Sequence, residues 1–441
     1  MAGERPKFAF GKTMIIGLGF FGISLIWPVF NAFVPLFLQA GNSVYTQQLV
    51  EAGREVPTLV GFGLAPVVAA FIMTWDNLLN IFIAPWAGAQ SDKTWNRFGR
   101  RKPWIMVGTP IAIIGFSLLP LAHLSAPSTW ALVAFIVCIL LTNFGMALFR
   151  SPTVAWLGDL FPSEQRSQAN GVINLMGGLG AAVALLGGGA IANALGEAAP
   201  FWVVAVLLTL STLLVLWLVK EPETLERAHD KPTSSVLENL RLVWTTNSRS
   251  GFYVLLAILF WFIAYEAVQF GLSSFAVFSL GMTPGTASIF STFFAATFLL
   301  FAVPSGIIGG QIGRRTTIMI GVSGLVLSFA LGWLIIRDQT TYGAVLLVAG
   351  FFWALVNVNS LPLVYDYGDE AHIGAYTGLY YFSSQTAAVL GPVMAGALVQ
   401  GLNNDYRMLW PFAALFMAAA WLAIRAVKPV EKLAVAPVAG D

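Results

Sequence analysis

Four ionisable residues occupy places where a charge is expensive. Asp76, Arg150, Asp159 and Glu266 lie within, or at the margin of, long apolar runs. An ionised side chain at the centre of a bilayer costs about 2.5–3.5 kcal/mol on insertion scales. An acid in such a place can take up and release a proton as its surroundings alternate between wet and dry, with a nearby cation holding its charge in between. The same runs carry neutral amides: Asn31, Asn80, Asn143, Gln269, Asn357, Asn359 and Gln385. An amide both donates and accepts hydrogen bonds, which suits a neutral, hydroxyl-rich solute; an anion would need more Arg. Each amide taken singly serves equally well to tie two helices together. Nothing pairs a nucleophile with a base, cradles a phosphate or gathers metal ligands. Three His and the lone Cys138, itself inside an apolar run, leave no metal or disulfide chemistry. The chemistry on offer is binding and proton exchange, with no cofactor.

The elements that must position these residues follow from composition. Of 441 residues, 57% are hydrophobic and 10% charged, and the mean hydropathy is +0.77. A soluble protein must keep one face of most helices in water, so a cytosolic enzyme is excluded, as are a disordered chain and a disulfide scaffold. A net charge of +2 leaves no footprint for nucleic acid; the surroundings are membrane lipids. Crossing a ~30 Å hydrocarbon core takes roughly 20 apolar residues. Twelve such runs occur, at about 12–38, 60–89, 104–124, 130–159, 168–194, 200–219, 251–280, 285–309, 315–336, 342–365, 373–400 and 408–426. They are apolar all round, without the period-two alternation of a β-barrel. The fold class is therefore an all-α membrane protein with twelve transmembrane helices, numbered here as spans 1 to 12. Arg5, Lys7 and Lys12 precede span 1 as in a signal peptide, but no small-residue cleavage site follows and the run is too long for one. Span 1 is expected to remain.

Nineteen of the 23 Lys and Arg fall at one end of the spans, and only Arg54, Arg337 and Arg407 fall at the other, with Arg150 inside span 4. By the positive-inside rule both termini are cytoplasmic, and a bacterial inner membrane is the expected location. The long polar stretch 221–250 divides the chain into six-span halves, 1–220 and 251–441. Within it Ser235 and Glu238 have the spacing of a capping box ahead of Leu237, Leu240, Val243 and Trp244. That pattern predicts an amphipathic helix on the inner membrane face.

The halves repeat one another. Gly88-Ala-Gln-Ser-Asp92 leads to Gly99-Arg100-Arg101 after span 2, and Gly306-Ile-Ile-Gly-Gly310 leads to Gly313-Arg314-Arg315 after span 8. Asp159 stands before Gly171 as Asp366 stands before Gly378. Two bundles in the same orientation, related by an axis along the membrane normal, place a site at the midplane between them. Asp92 can pair with Arg97, Arg100 or Arg101 in a contact that breaks and re-forms as one half rocks on the other. Gly310 leaves the second half without this acid, so its loop is expected to hold less firmly.

Gly88-x-x-x-Asp92 followed by Arg97-Phe98-Gly99-Arg100-Arg101-Lys102 resembles the signature loop of the major facilitator superfamily. The long step from Asp92 to Gly99, with Pro103-Trp104 behind it and Pro85-Trp86-Ala87-Gly88 before it, is similar to the plant sucrose transporters. It is similar too to the bacterial glycoside–pentoside–hexuronide cation symporters, as is Gly374-Ala-Tyr-Thr-Gly378 with Gly391-Pro392. The resemblance implies proton-coupled uptake of a di- or oligosaccharide or glycoside by alternating access, with one chain sufficing. The alternatives are a drug or metabolite exporter of the same fold and a non-transporting membrane sugar sensor. Sodium users of the group carry two carboxylates on span 2 where this chain has Asn80 and Ala84, neither of which offers the anionic oxygen a hard cation favours. Pro152-Thr-Val-Ala-Trp-Leu-Gly-Asp159-Leu160 matches the sucrose-transporter stretch that ends in the proton-coupling Asp, although Val154 replaces that family's Arg. The resemblance thus ranks Asp159 first as proton carrier, with Arg150 standing in for the missing Arg; Asp76, deeper in its helix but the weaker match to the family, ranks second. The competing role for Asp159 is a gate acid paired with Arg166. Asp159 and Arg150 stand half a turn out of phase on a straight helix, so they pair only if Pro152 kinks it. The expected solute contacts are Asn31, Asp76, Asn80, Asn143, Glu266, Gln269, Asn357, Asn359 and Gln385.

Overall fold

The computed structural model describes residues 10–161, 165–221, 250–367 and 373–427. Among them twelve helices are long and apolar enough to cross a membrane: Thr13–Gln39, Pro66–Lys93, Lys102–Leu124, Thr129–Leu157, Gln168–Leu195, Ala199–Leu218, Ser250–Phe278, Pro284–Ile312, Arg314–Ile335, Gln339–Asp366, Tyr376–Gly401 and Tyr406–Ala426. These are the twelve runs read from the sequence. The amphipathic helix expected within 221–250 and both chain ends lie outside the described residues.

The start of span 2 differs from the expectation by six residues, for a backbone reason. Residues 60–65 are apolar but extended, and their N–H groups satisfy the orphan carbonyls at the end of span 1: Phe62 to Phe37, Gly63 to Ala40 and Leu64 to Leu38, at 3.0, 2.8 and 2.8 Å. Gly41 and Gly63 make the reversal with φ of 87° and 65°. Pro66, which has no N–H to lose, then opens the helix. Span 2 is also broken at Thr74, whose hydroxyl bonds the Phe71 carbonyl at 2.7 Å. The break puts Asp76 in the first turn of the second segment, Trp75–Lys93.

Helix pairing repeats with a step of six. Span 1 packs on 5 and 6 as 7 packs on 11 and 12; span 4 packs on 2 and 3 as 10 packs on 8 and 9; and 3 meets 6 as 9 meets 12. The halves meet through spans 1 and 7, 2 and 11, and 5 and 8. Small residues make two of these approaches possible. A Cβ on Gly180 would stand 2.5 Å from the Phe21 carbonyl oxygen, and one on Gly189 would stand 2.5 Å from that of Gly285. Gly187 has open space around it, so the glycines of span 5 do not all serve packing.

Contact between halves is concentrated at the end that carries loop 40–65, which the charge bias assigns to the outside and which is called outer below. There Pro66–Met73 lies on span 11 around Gly396, and Asn193 of span 5 bonds Thr283 and Thr286 ahead of and within span 8, at 2.8 and 3.2 Å. The molecule is closed at its outer end.

Candidate functional site

Between spans 1, 5, 7 and 8 lies a cavity of about 200 Å³. Trp27 and Asn31 face it from span 1, Gln269 and Ser273 from span 7, and Ser291 and Phe294 from span 8. Both halves contribute, and no ionised side chain lines it. Asn31 and Gln269, expected from sequence to touch solute, are brought together here, and Tyr265 lies one helical turn before Gln269 on span 7. Tyr265 stacks on Trp353 of span 10 with centroids 4.2 Å apart and planes at 5°. The Trp27 indole N–H is buried without a partner, a donor available to a solute hydroxyl.

The other amides are placed differently. Asn359 is buried and donates to the carbonyls of Ser305 and Leu355 at 3.1 and 3.0 Å, tying span 10 to span 8. Asn143 is buried with neither side-chain atom bonded. Asn80 and Asn357 are half-buried and Gln385 is exposed, and none of the three lines the cavity.

The acids fall into two groups. Asp76 lies within electrostatic reach of both Arg150 and Glu266, so three ionisable residues from spans 2, 4 and 7 share one region of the seam between halves. Asp76 and Arg150 do not close into an ion pair, and the Asp76 Oδ1 is buried without a hydrogen bond. The helix Thr129–Leu160 runs unbroken through Pro152, so Arg150 and Asp159 keep opposite faces. Asp159 turns to the signature loop instead.

At the inner end that loop is a network of charges. Arg101, only 4% exposed at its side chain, donates from Nε to Asp159 Oδ2 at 2.8 Å and reaches Asp92 Oδ1 at 2.6 Å. Arg100 reaches Asp92 at 2.5 Å and Asp159 at 3.6 Å. Asp92 is 54% exposed and Asp159 14% exposed at the side chain, so the two acids share two guanidiniums across a wet-to-dry boundary. Arg97 lies over the Phe98 ring at 4.7 Å, and the side chain of Arg166 lies outside the described residues. In the second half Arg314 pairs with Asp366, the counterpart of Asp159, and Arg315 caps the carbonyls of Ile424 and Arg425 at 3.3 and 3.1 Å.

Two features carried no sequence signal. Glu221, just past span 6, accepts from the backbone N–H of Arg100, from that of Arg101 at 3.0 Å and from that of Lys102 at 2.9 Å, and from the Trp156 indole at 3.0 Å. It caps the N-terminus of span 3, where a carboxylate is favoured by both orphan N–H groups and the helix dipole. The second is an outer lock. The amide of Gln39, fully buried, donates to Ser274 Oγ at 3.2 Å and to the Pro35 carbonyl at 3.0 Å, and it accepts from the hydroxyls of Tyr45, at 3.1 Å, and Tyr406. Burial pushes the Tyr45 hydroxyl well above its ordinary pKa, so it stays a donor.

Gln39→Leu strands both tyrosine hydroxyls, at about 1–3 kcal/mol for each buried unpaired group. The outer end should open more often as a result. With Ser273→Cys in a Cys138→Ser background, labelling by a membrane-impermeant thiol reagent from outside should quicken at least tenfold; an unchanged rate would remove Gln39 from the lock.

A sequence model described as the Major Facilitator Superfamily matches residues 13–392 and, in a second alignment, 272–440. Human proton-associated sugar transporter A is 25% identical over 233 residues, covering 50% of this chain and 28% of that protein. Sucrose transport protein SUC3 of Arabidopsis thaliana is 28% identical over 196 residues, covering 37% of this chain and 33% of that protein. The chain thus matches about a third or less of the length of these relatives. The crystal structure of the nucleoside transporter NupG shares the fold, with a TM-score of 0.68 at 15% identity over 95% of this chain and 99% of that one. A multi-pass membrane protein with twelve spans and this signature loop, the chain belongs to the major facilitator superfamily, as a transporter and not an enzyme, distantly related to the proton-associated sugar transporters and the plant sucrose transporters.

Proposed function

We propose that this transporter takes up a di- or oligosaccharide or glycoside together with protons by alternating access. A single chain performs the cycle. The halves 1–220 and 251–441 rock about the central cavity, joined by 221–250, in a bacterial inner membrane with both termini cytoplasmic. The observation that carries this reading is the lining of that cavity: amides, hydroxyls and aromatic faces from both halves, with no ionised side chain. Such a surface hydrogen-bonds hydroxyls through groups that both donate and accept and covers the apolar C–H face of a pyranose with Trp27 and Phe294. The names of the relatives, a proton-associated sugar transporter and a sucrose transport protein, support the same class of solute.

For the proton carrier the geometry favours Asp76 over Asp159. A carrier must exchange its proton freely. Asp159 is tied to Arg101 at 2.8 Å in the inner network, whereas Asp76 lies at the seam with an unbonded oxygen. In this reading Asp159 belongs with Asp92, Arg100 and Arg101 to the inner gate, and Glu266 faces Asp76 from the second half.

The test is transport by proteoliposomes under an imposed proton gradient with a panel of labelled sugars. At least one di- or oligosaccharide or glycoside should accumulate. Outward movement of hydrophobic compounds would favour an exporter, and sugar binding without flux a sensor. Because Asn80 and Ala84 offer no anionic oxygen where the resemblance to the sodium-using symporters would place two carboxylates, replacing external sodium with choline at constant pH should leave uptake unchanged. Loss of uptake on that replacement would remove the proton from the account.

A further inference from the structure

Among the described residues three arginines lie at the outer end, and they converge. Arg54 follows the short outer helix Ser43–Glu51, Arg337 connects spans 9 and 10, and Arg407 opens span 12. All three line one cavity of about 370 Å³, with Glu51 and Asp405. Arg54 donates from Nη2 to the Arg337 carbonyl at 2.9 Å, bridging the two halves. Partial burial and the neighbouring Arg407 and Arg337 hold the Arg54 guanidinium below its ordinary pKa, with Asp338 opposing.

The nearby carboxylates keep their charge but take their hydrogen bonds from neutral donors rather than from the three guanidiniums. Glu51 accepts from the Gln47 side chain at 2.8 Å, Asp405 from the Arg407 backbone N–H at 2.8 Å, and Asp338 from the Thr341 backbone N–H at 2.9 Å. Among the described residues none of the three arginines enters an ion pair. Three planar forks of N–H donors around one cavity match the oxygens of a phosphate group.

We propose that this cavity binds a phosphate-type anion across the seam, and that the bound anion, held by Arg54 from one half and by Arg337 and Arg407 from the other, favours the outer-closed state. The cavity exists only while the halves are together at this end, so a ligand that fits it binds that state better and shifts the population toward it. The same reasoning makes the effect reciprocal: locking the outer end shut tightens the anion. The site is independent of what the central cavity carries. Inorganic phosphate and the headgroup phosphodiester of an anionic lipid share the required chemistry.

The experiment titrates inorganic phosphate, against chloride at matched ionic strength, into the full chain in phosphatidylcholine nanodiscs. Two readouts are followed: the unfolding temperature and the distance between spin labels on Val56→Cys and Thr340→Cys in a Cys138→Ser background. Phosphate should raise the unfolding temperature and populate the shorter distance. Arg54→Gln combined with Arg337→Gln should weaken the apparent affinity at least tenfold. Arg407→Gln, at an exposed position, should weaken it as well, and provides the measurement if the double variant fails to fold. Arg425→Gln, at the inner end, should respond as the parent does. If phosphate is silent but replacing part of the phosphatidylcholine with phosphatidylglycerol produces both changes, and the Arg54 and Arg337 variants lose them, the occupant is a lipid headgroup. No effect of either anion beyond chloride, or an unaltered response in the glutamine variants, would overturn the site.

Discussion

Asp76→Asn is expected to abolish uphill accumulation while leaving sugar exchange across an ungraded membrane within about twofold of the parent, the asparagine keeping the shape and hydrogen-bonding capacity of the protonated acid. One pH unit drives a one-to-one symporter to about a tenfold concentration ratio, worth 1.4 kcal/mol. Without an exchangeable proton the ratio falls to one. The prediction rests on the seam between the halves, where Asp76 lies within reach of Arg150 and Glu266 and has an oxygen without a partner. Asp159→Asn should behave differently. It removes one of the two acids that share Arg100 and Arg101, so it should slow exchange and net uptake alike while retaining whatever accumulation ratio the remaining flux reaches. Concentrative uptake that survives in Asp76→Asn and vanishes in Asp159→Asn would reverse the two roles.

Glu221→Ala should produce the largest loss of stability among single substitutions at the inner end. The carboxylate serves three consecutive backbone N–H groups at the start of span 3 and the indole of Trp156, which is fully buried. Hydrogen bonds to a charged group contribute about 1.5–3 kcal/mol each. Partial exposure of Glu221 and water at the loop discount that heavily, so the whole substitution is expected to cost about 2–4 kcal/mol. Thermal unfolding in detergent should shift down by several degrees for Glu221→Ala and by less for Glu221→Gln, which keeps an acceptor. A double-mutant cycle with Trp156→Phe should show coupling between the two residues. An unfolding temperature unmoved in Glu221→Ala, or strict additivity with Trp156→Phe, would mean that this cap does not hold spans 3, 4 and 6 together.

The spans were legible because length and hydropathy alone decide what crosses a bilayer, and the repeat of Gly88 and Gly99-Arg100-Arg101 as Gly306 and Gly313-Arg314-Arg315 announced two related halves. Span 2 began late because residues 60–65, apolar as they are, have their N–H groups committed to the carbonyls of span 1. The partner of Asp159 was not legible. Helical phase separated it from Arg150, but only the packing of spans 3 and 4 sets Arg101 beside it. Composition identified the amides without saying which way each faces. Asn31 and Gln269 look into the cavity, whereas Asn359 spends its hydrogens on Ser305 and Leu355. Gln39 reads as the end of an apolar run, and Glu221 as the first residue of a polar linker. Each acquires its role from partners far away in sequence, Tyr406 and Ser274 for one, Arg100 to Lys102 for the other.

The most direct measurement of the central claim is the pH of a weakly buffered suspension of de-energised proteoliposomes when a transported sugar is added. Proton-coupled uptake through the neutral cavity predicts a transient alkalinisation of the medium, abolished by a protonophore, absent in Asp76→Asn and indifferent to sodium. Sugar entry with no change in external pH, or an alkalinisation that persists undiminished in Asp76→Asn, would contradict it.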